Sequence, residues 1–153
     1  MAARLRGQFG WDRAAPWGSV PALILLSGLP GTGKSHLAAK IAARHPAAVV
    51  RSDEVRKLLY SRPAYTSREN GFVYLVCYAL LAQLLAGGYT AVFDATNLTR
   101  DSRKRARKLA REAGAPALTL LTVAPPDVVA HRLQQRTTGA AEAYASDAGW
   151  AVH

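Results

Sequence analysis

The stretch Ala22-Leu23-Ile24-Leu25-Leu26-Ser27-Gly28-Leu29-Pro30-Gly31-Thr32-Gly33-Lys34-Ser35 passes from an apolar run through glycines into helically spaced residues. Ala22 to Leu26, bounded by Pro21 and the glycines, has the continuous apolar character of a strand buried on both faces. From Lys34 to Arg44 the apolar residues recur at Leu37, Ala38 and Ile41, and Pro46 stops the pattern, so a helix follows directly. The order is strand, glycine loop, helix. Glycines at 28, 31 and 33 leave the backbone free to wrap around phosphate oxygens with its N–H groups turned inward. A helix starting near Gly33 adds its positive end, Lys34 can neutralise β- and γ-phosphate charge, and the Ser35 hydroxyl can ligate magnesium. Gly28, Leu29, Pro30, Gly31, Thr32, Gly33, Lys34 and Ser35 are therefore the expected cradle for ATP and Mg2+.

Downstream, strands and helices alternate. Ala47 to Val50 reads as a second strand ending near Arg51, and Asp53 is placed to cap a helix from Glu54 to about Tyr60. Thr66-Ser67-Arg68-Glu69 has capping-box spacing, and Phe72, Leu75, Val76, Ala79, Leu80 and Gln83 follow it at helical spacing up to Gly87-Gly88. That pattern predicts one long, mostly buried helix. Tyr89 to Phe93 forms a third strand ending in Asp94, and Arg100 to Ala113 forms a strongly basic helix closed by Gly114 and Pro116. Ala117 to Val123 is a fourth strand, after which Pro125-Pro126-Asp127 opens a helix carrying Arg132 and Arg136. Alternation of this kind implies an α/β fold with a parallel sheet covered on both faces and ligands at the carboxyl ends of its strands.

With 153 residues, half of them apolar, the chain suits one compact domain, residues 21–153, behind an extension of residues 1–20 without steady periodicity. Twenty Lys and Arg against ten Asp and Glu give a net charge of +10, which favours anionic partners. Cys77 is the single cysteine and lies in an apolar helical pattern, so it reads as a packed thiol. His36, His45, His131 and His153 show no metal-ligand spacing. No uninterrupted apolar run approaches the ~18 residues that cross a bilayer, so no membrane partner is expected and the simplest address is the cytoplasm.

Four further features bear on chemistry. Asp94 ends an apolar strand, as an acidic residue that orients magnesium does. Asp53 and Arg56 stand one helical turn apart at the end of the second strand; the carboxylate can take the proton of an attacking hydroxyl, and the guanidinium can hold an anion. Arg132 and Arg136, at i and i+4, can close over ATP as a lid. Arg103, Arg107 and Arg111 make a basic stripe that could meet nucleic-acid phosphates, although no aromatic residue interleaves to stack bases. Each has a plainer reading, as a turn aspartate, a helix cap or solvated arginines.

Taken together, these residues resemble the small P-loop kinases of the predicted ATP-dependent kinase group, with an AAA-type ATP-binding domain, relatives of polynucleotide kinase, chloramphenicol phosphotransferase and gluconate kinase. The resemblance spans roughly residues 22–152 and is carried by Gly28 to Ser35, Arg51-Ser52-Asp53-Glu54-Val55-Arg56, Val92-Phe93-Asp94-Ala95-Thr96-Asn97, Arg132-x-x-x-Arg136 and Ser146-Asp147-Ala148-Gly149-Trp150. It implies a three-layer α/β/α P-loop NTPase sandwich with a parallel sheet of about four strands. It also implies Asp53 as general base, Arg56 as a substrate-phosphate arginine, and Arg132 and Arg136 as lid arginines. Such kinases continue to a fifth strand and an adenine-contacting loop, so the resemblance implies either a chain shortened at its carboxyl end or adenine held otherwise. The expected activity is transfer of the γ-phosphate of ATP to a hydroxyl of a small molecule or of a polynucleotide 5′ end. An ATP-binding module without transferase activity and a basic nucleic-acid-binding protein are the alternatives. The sequence leaves the acceptor and the oligomeric state open.

Overall fold

The computed structural model of the chain describes Phe9 and residues 20–137, with side chains described as far as Gln135. The expectations for the Arg136 side chain and for Ser146 to Trp150 lie outside the described residues. The elements run β1 (Leu23–Ser27), α1 (Lys34–Arg44), β2 (Ala47–Arg51), α2 (Ser52–Leu59), α3 (Ser67–Ala86), β3 (Thr90–Asp94), α4 (Arg100–Glu112), β4 (Ala117–Leu121) and α5 (Pro126–Thr137).

All strand pairings are parallel, in the order β2-β3-β1-β4. Side chains alternate across the sheet as a pleated strand requires. Leu23 and Leu25 enter one core with Val50, Phe93, the buried face of α3, and Ala106 and Ala110 of α4. Ile24 and Leu26 enter the other core with Val49, Val92 and Ala38 of α1. Helices therefore cover both faces, giving the expected three layers. From β1 the chain crosses by α1 toward β2, and from β3 it crosses by α4 toward β4, so the strand order reverses between β1 and β3. A crevice opens at the carboxyl ends of such a pair.

Helix α3, 20 residues long, is by length and composition long and apolar enough to cross a membrane. Here its apolar stripe packs on the sheet through Val73, Cys77, Leu81, Leu84 and Leu85. Phe72 and Leu75, expected on the buried side, are about half exposed, because the helix turns Val73, Cys77 and Tyr78 inward instead. Phe93 anchors this packing, with the rings of Tyr74 and Tyr78 edge-on at 5.9 and 5.8 Å. Burial pushes the Cys77 thiol up to about 12, consistent with a packed, unreactive sulfur.

Two boundaries differ from the sequence expectation. Helix α2 starts at Ser52 with Arg51 at the cap position and no side-chain cap, so Asp53 lies in the first turn and caps nothing. Strand β4 ends at Leu121, two residues early, because Thr122 makes the last backbone bond to β1, from its N–H to the Ser27 carbonyl at 2.8 Å, and the chain then turns out toward Pro126. Among the described residues β4 is an edge strand, with Leu118 and Leu121 exposed.

Replacing Phe93 by Ala removes a fully buried ring from the α3 face of the sheet. The expected outcome is a loss of about 3–5 kcal/mol of unfolding free energy in urea titration; a loss below about 1 kcal/mol would mean that this aromatic cluster does not hold the core.

Candidate active site

The loop between β1 and α1 is fixed at both ends by backbone and hydroxyl contacts. The N–H of Gly28 donates to the Thr96 carbonyl at 3.0 Å, and the Thr32 hydroxyl donates to the Leu29 carbonyl at 2.7 Å. Gly28 lies at φ 150°, where an added Cβ would run into the hydroxyl and carbonyl of Thr122. Gly33, at φ 101°, caps α1 in the left-handed region. No side chain caps that helix and its first turn carries no acidic residue. Its N–H groups and positive end are thus left to an anion in the loop.

Lys34 is nearly buried and its ammonium donates to the Leu29 carbonyl at 2.8 Å. Opposite stands Asp94, 5% exposed, hydrogen-bonded with Ser35 and 3.5 Å from Arg51 Nε. Burial raises its pKa, and the Ser35 bond and the charges of Arg51 and Lys34 offset that only in part. Arg51 is itself shared, pairing with Glu54 at 2.6 Å. The strand register makes the juxtaposition unavoidable, since Asp94 pairs with Leu26 of β1 on one side and with Arg51 of β2 on the other.

Lys34, Ser35 and Asp94 line a cleft of about 50 Å³ together with Pro30, Gly31, Gly33, Ser52, Asp53, Ala95 and Thr96. Lys34, Ser35, Asp53 and Asp94 are thereby brought together. Arg132 also reaches the loop, donating to the Gly31 carbonyl at 3.0 Å, while Val129 and Leu133 of α5 pack where a Gly31 Cβ would point. Arg56 is not among the groups lining the cleft. It is 5% exposed, paired with Glu69 and bonded to Asn70 at 2.7 Å, with its guanidinium 4.5 Å above the Tyr65 ring. Burial pushes the Glu69 carboxyl up, but the amides of Ala64 and Tyr65 and the Arg56 guanidinium outweigh it and hold the group below its usual range. Glu69 therefore completes the capping box only halfway. Its N–H donates to the Thr66 hydroxyl oxygen, whereas its carboxylate accepts from Arg56 and from the turn before the helix.

Sequence reasoning assigned no role to Asn97, and the structure gives it one. The residue is fully buried at φ 44°, and its carboxamide N–H donates to the Leu26 carbonyl at 2.9 Å while its backbone carbonyl accepts from the Ser27 hydroxyl and from Arg103. It stitches the segment after Asp94 to the strand that feeds the glycine loop. The signal available was an Asn three residues beyond a strand-end Asp, a residue type that tolerates positive φ. Thr96 adds a second tie, between its hydroxyl and Tyr74 at 3.1 Å.

A divalent cation suits this chemistry. Among the described residues no three His, Cys, Asp or Glu side chains gather to form a protein-only cage. Ser35 and Asp94 offer two hard oxygens, and magnesium takes its remaining ligands from water and phosphate.

The family profile described as an AAA domain, AAA_33, matches residues 23–151. The chain belongs to this family. Its P-loop kinase-like character agrees with the loop, the strand order and the strand-end carboxylate described above. An uncharacterized protein of Mycobacterium tuberculosis is 32% identical over 135 residues, which cover 80% of this chain and 27% of the relative. An adenylyl-sulfate kinase of Myxococcus xanthus is 36% identical over 115 residues, covering 72% of this chain and 62% of that enzyme. The chain thus spans about a quarter of the first relative and somewhat less than two thirds of the second. The Mycobacterium tuberculosis APS kinase, solved in complex with AMPPNP and APS, aligns with a TM-score of 0.63 at 20% identity over 81% of this chain and 75% of its own, a likeness of fold.

Because burial raises the Asp94 pKa, the folded protein bears the cost of a buried carboxylate at pH above that pKa and is relieved of it as pH falls through it. Asp94→Asn should therefore raise the thermal midpoint at pH 8 in the absence of divalent cations, and the difference should shrink toward acid. A lower midpoint at pH 8 would contradict the assignment of burial as the dominant influence.

Proposed function

We propose that this AAA_33 domain is an ATP-dependent kinase that transfers the γ-phosphate to a hydroxyl. The observation carrying this reading is the meeting of Lys34, Ser35, Asp53 and Asp94 around one cleft at the head of an uncapped helix. Phosphoryl transfer needs little covalent chemistry from the protein; it needs positioning and charge. In this reading the backbone from Gly28 to Ser35 cradles the phosphates, and Lys34 leaves the Leu29 carbonyl to neutralise the transferring group. Ser35 and Asp94 would hold Mg2+, which would supply neutralising charge to the bound phosphates. Asp53, on the first turn of α2 and free of any cap, orients the acceptor hydroxyl and takes its proton. Arg132, already against Gly31, adds positive charge over the loop, and Arg136 one turn later is assigned to the same lid.

Arg56 takes a different part from the one implied by the resemblance. Its guanidinium is committed to Glu69, Asn70 and Tyr65, so we assign it to anchoring α2 on α3 and holding Asp53 in register with the loop. The acceptor is a small hydroxyl compound or a polynucleotide 5′ end, and the relative that phosphorylates adenylyl sulfate makes a nucleotide-borne hydroxyl a reasonable member of the panel.

The test is a labelled γ-phosphate transfer screen over sugars, nucleosides, antibiotics, adenylyl sulfate and oligonucleotides. Transfer to at least one acceptor is expected, with Lys34→Ala lowering it about 10²–10³-fold, as loss of a preorganised charge donor does. Unchanged transfer in Lys34→Ala would overturn the mechanism. ATP binding without transfer to any acceptor would favour a binding module over a kinase.

A further inference from the structure

Seven of the thirteen residues of α4 are Lys or Arg, against Asp101 and Glu112. The basic stripe expected at Arg103, Arg107 and Arg111 is rearranged by local contacts. Arg103 turns back to the carbonyls of Asn97 and Leu98, each at 2.7 Å, and so serves the loop beside the cleft. The outward face is instead made by Arg100, Lys104, Arg107, Lys108 and Arg111, at i, i+4, i+7, i+8 and i+11 on one side of the helix. Ala106 and Ala110, fully buried in the core, lie on the opposite side.

Little on this face is neutralised. Arg107 donates to the Thr119 hydroxyl at 3.0 Å, a neutral partner that holds the guanidinium without cancelling its charge. Lys108 and Glu112 approach at 3.6 Å with both side chains more than half exposed, a pair worth little in water. Arg100, Lys104 and Arg111 are exposed and have no partner among the described residues. A solvated helix usually intersperses both signs; this one presents a single-signed row about 16 Å long by the helix rise, from Arg100 to Arg111.

We propose that the outer face of α4 binds the phosphate backbone of nucleic acid. Its length matches about five phosphates at roughly 3.4 Å per nucleotide of one strand. An anionic bilayer is the weaker match, since an interfacial helix needs an apolar face to insert, and the apolar side of α4 is used up on the core. With no aromatic residue on the helix, base stacking is unavailable, so recognition is of charge and independent of sequence. The face runs from the loop at Leu98 away from the cleft, so this binding requires neither ATP nor the kinase reading.

The experiment is fluorescence anisotropy of a labelled 20-nucleotide DNA, single-stranded and duplex, with the full chain. Affinity should fall linearly with the logarithm of salt concentration. The triple variant Lys104→Gln, Lys108→Gln, Arg111→Gln should weaken binding at least about tenfold and flatten that slope by two to three, at roughly 0.9 per phosphate contact. A control with the same charge change elsewhere, Lys40→Gln, Arg44→Gln, Arg68→Gln, should stay within about twofold of the parent. Circular dichroism verifies that each variant is folded. Equal losses in the α4 variant and the control, undiminished binding by the α4 variant, or binding to phosphatidylserine vesicles but not to DNA would each overturn the proposal.

Discussion

The pairing of β1 with β3 does not stop at the last strand residues, and the site depends on what carries it further. Beyond the Leu26–Asp94 register, the Gly28 N–H reaches the Thr96 carbonyl and the Asn97 carboxamide reaches back to the Leu26 carbonyl. These bonds lock the start of the glycine loop to the segment that follows the strand-end carboxylate. Neither bond is long-range in space, yet each joins residues about seventy positions apart in sequence. Asp94, Ser35 and Lys34 therefore face one another because of main-chain geometry, before any side-chain attraction acts.

That geometry sets function against stability. Burying Asp94 beside the loop costs free energy that its neighbours do not fully return, because Arg51 divides itself between Asp94 and Glu54. A carboxylate retained at such a cost suits a site that awaits a cation, where the opposing charge arrives with the ligand. By contrast, the Arg56–Glu69 pair is an internal fastening. It is enclosed, backed by Asn70 and two backbone amides, and spends its charge on joining α2 to α3.

Most of the architecture was legible in the sequence, since strict alternation of short apolar runs with helical patterns leaves few arrangements, and the glycine loop fixes which end carries the site. What escaped depended on tertiary partners. Asp53 has the look of a helix cap, but α2 begins two residues earlier than that reading requires. The side chain of Arg56 is at helical spacing from Asp53, but the choice between cleft and α3 is made by Glu69, thirteen residues away, which local spacing does not reveal. Asn97 carries no local mark of its role, because its bonds run to β1. The basic face of α4 shifted for the same reason: carbonyls at the helix entrance capture Arg103.

The central claim is that the loop and Asp94 form one nucleotide-and-cation site. Calorimetric titration of ATP into the full chain, with and without magnesium, tests it most directly. The account predicts binding that tightens at least about tenfold with magnesium, the difference disappearing in Asp94→Asn. ATP binding of equal strength with and without magnesium, or no ATP binding at all, would contradict it.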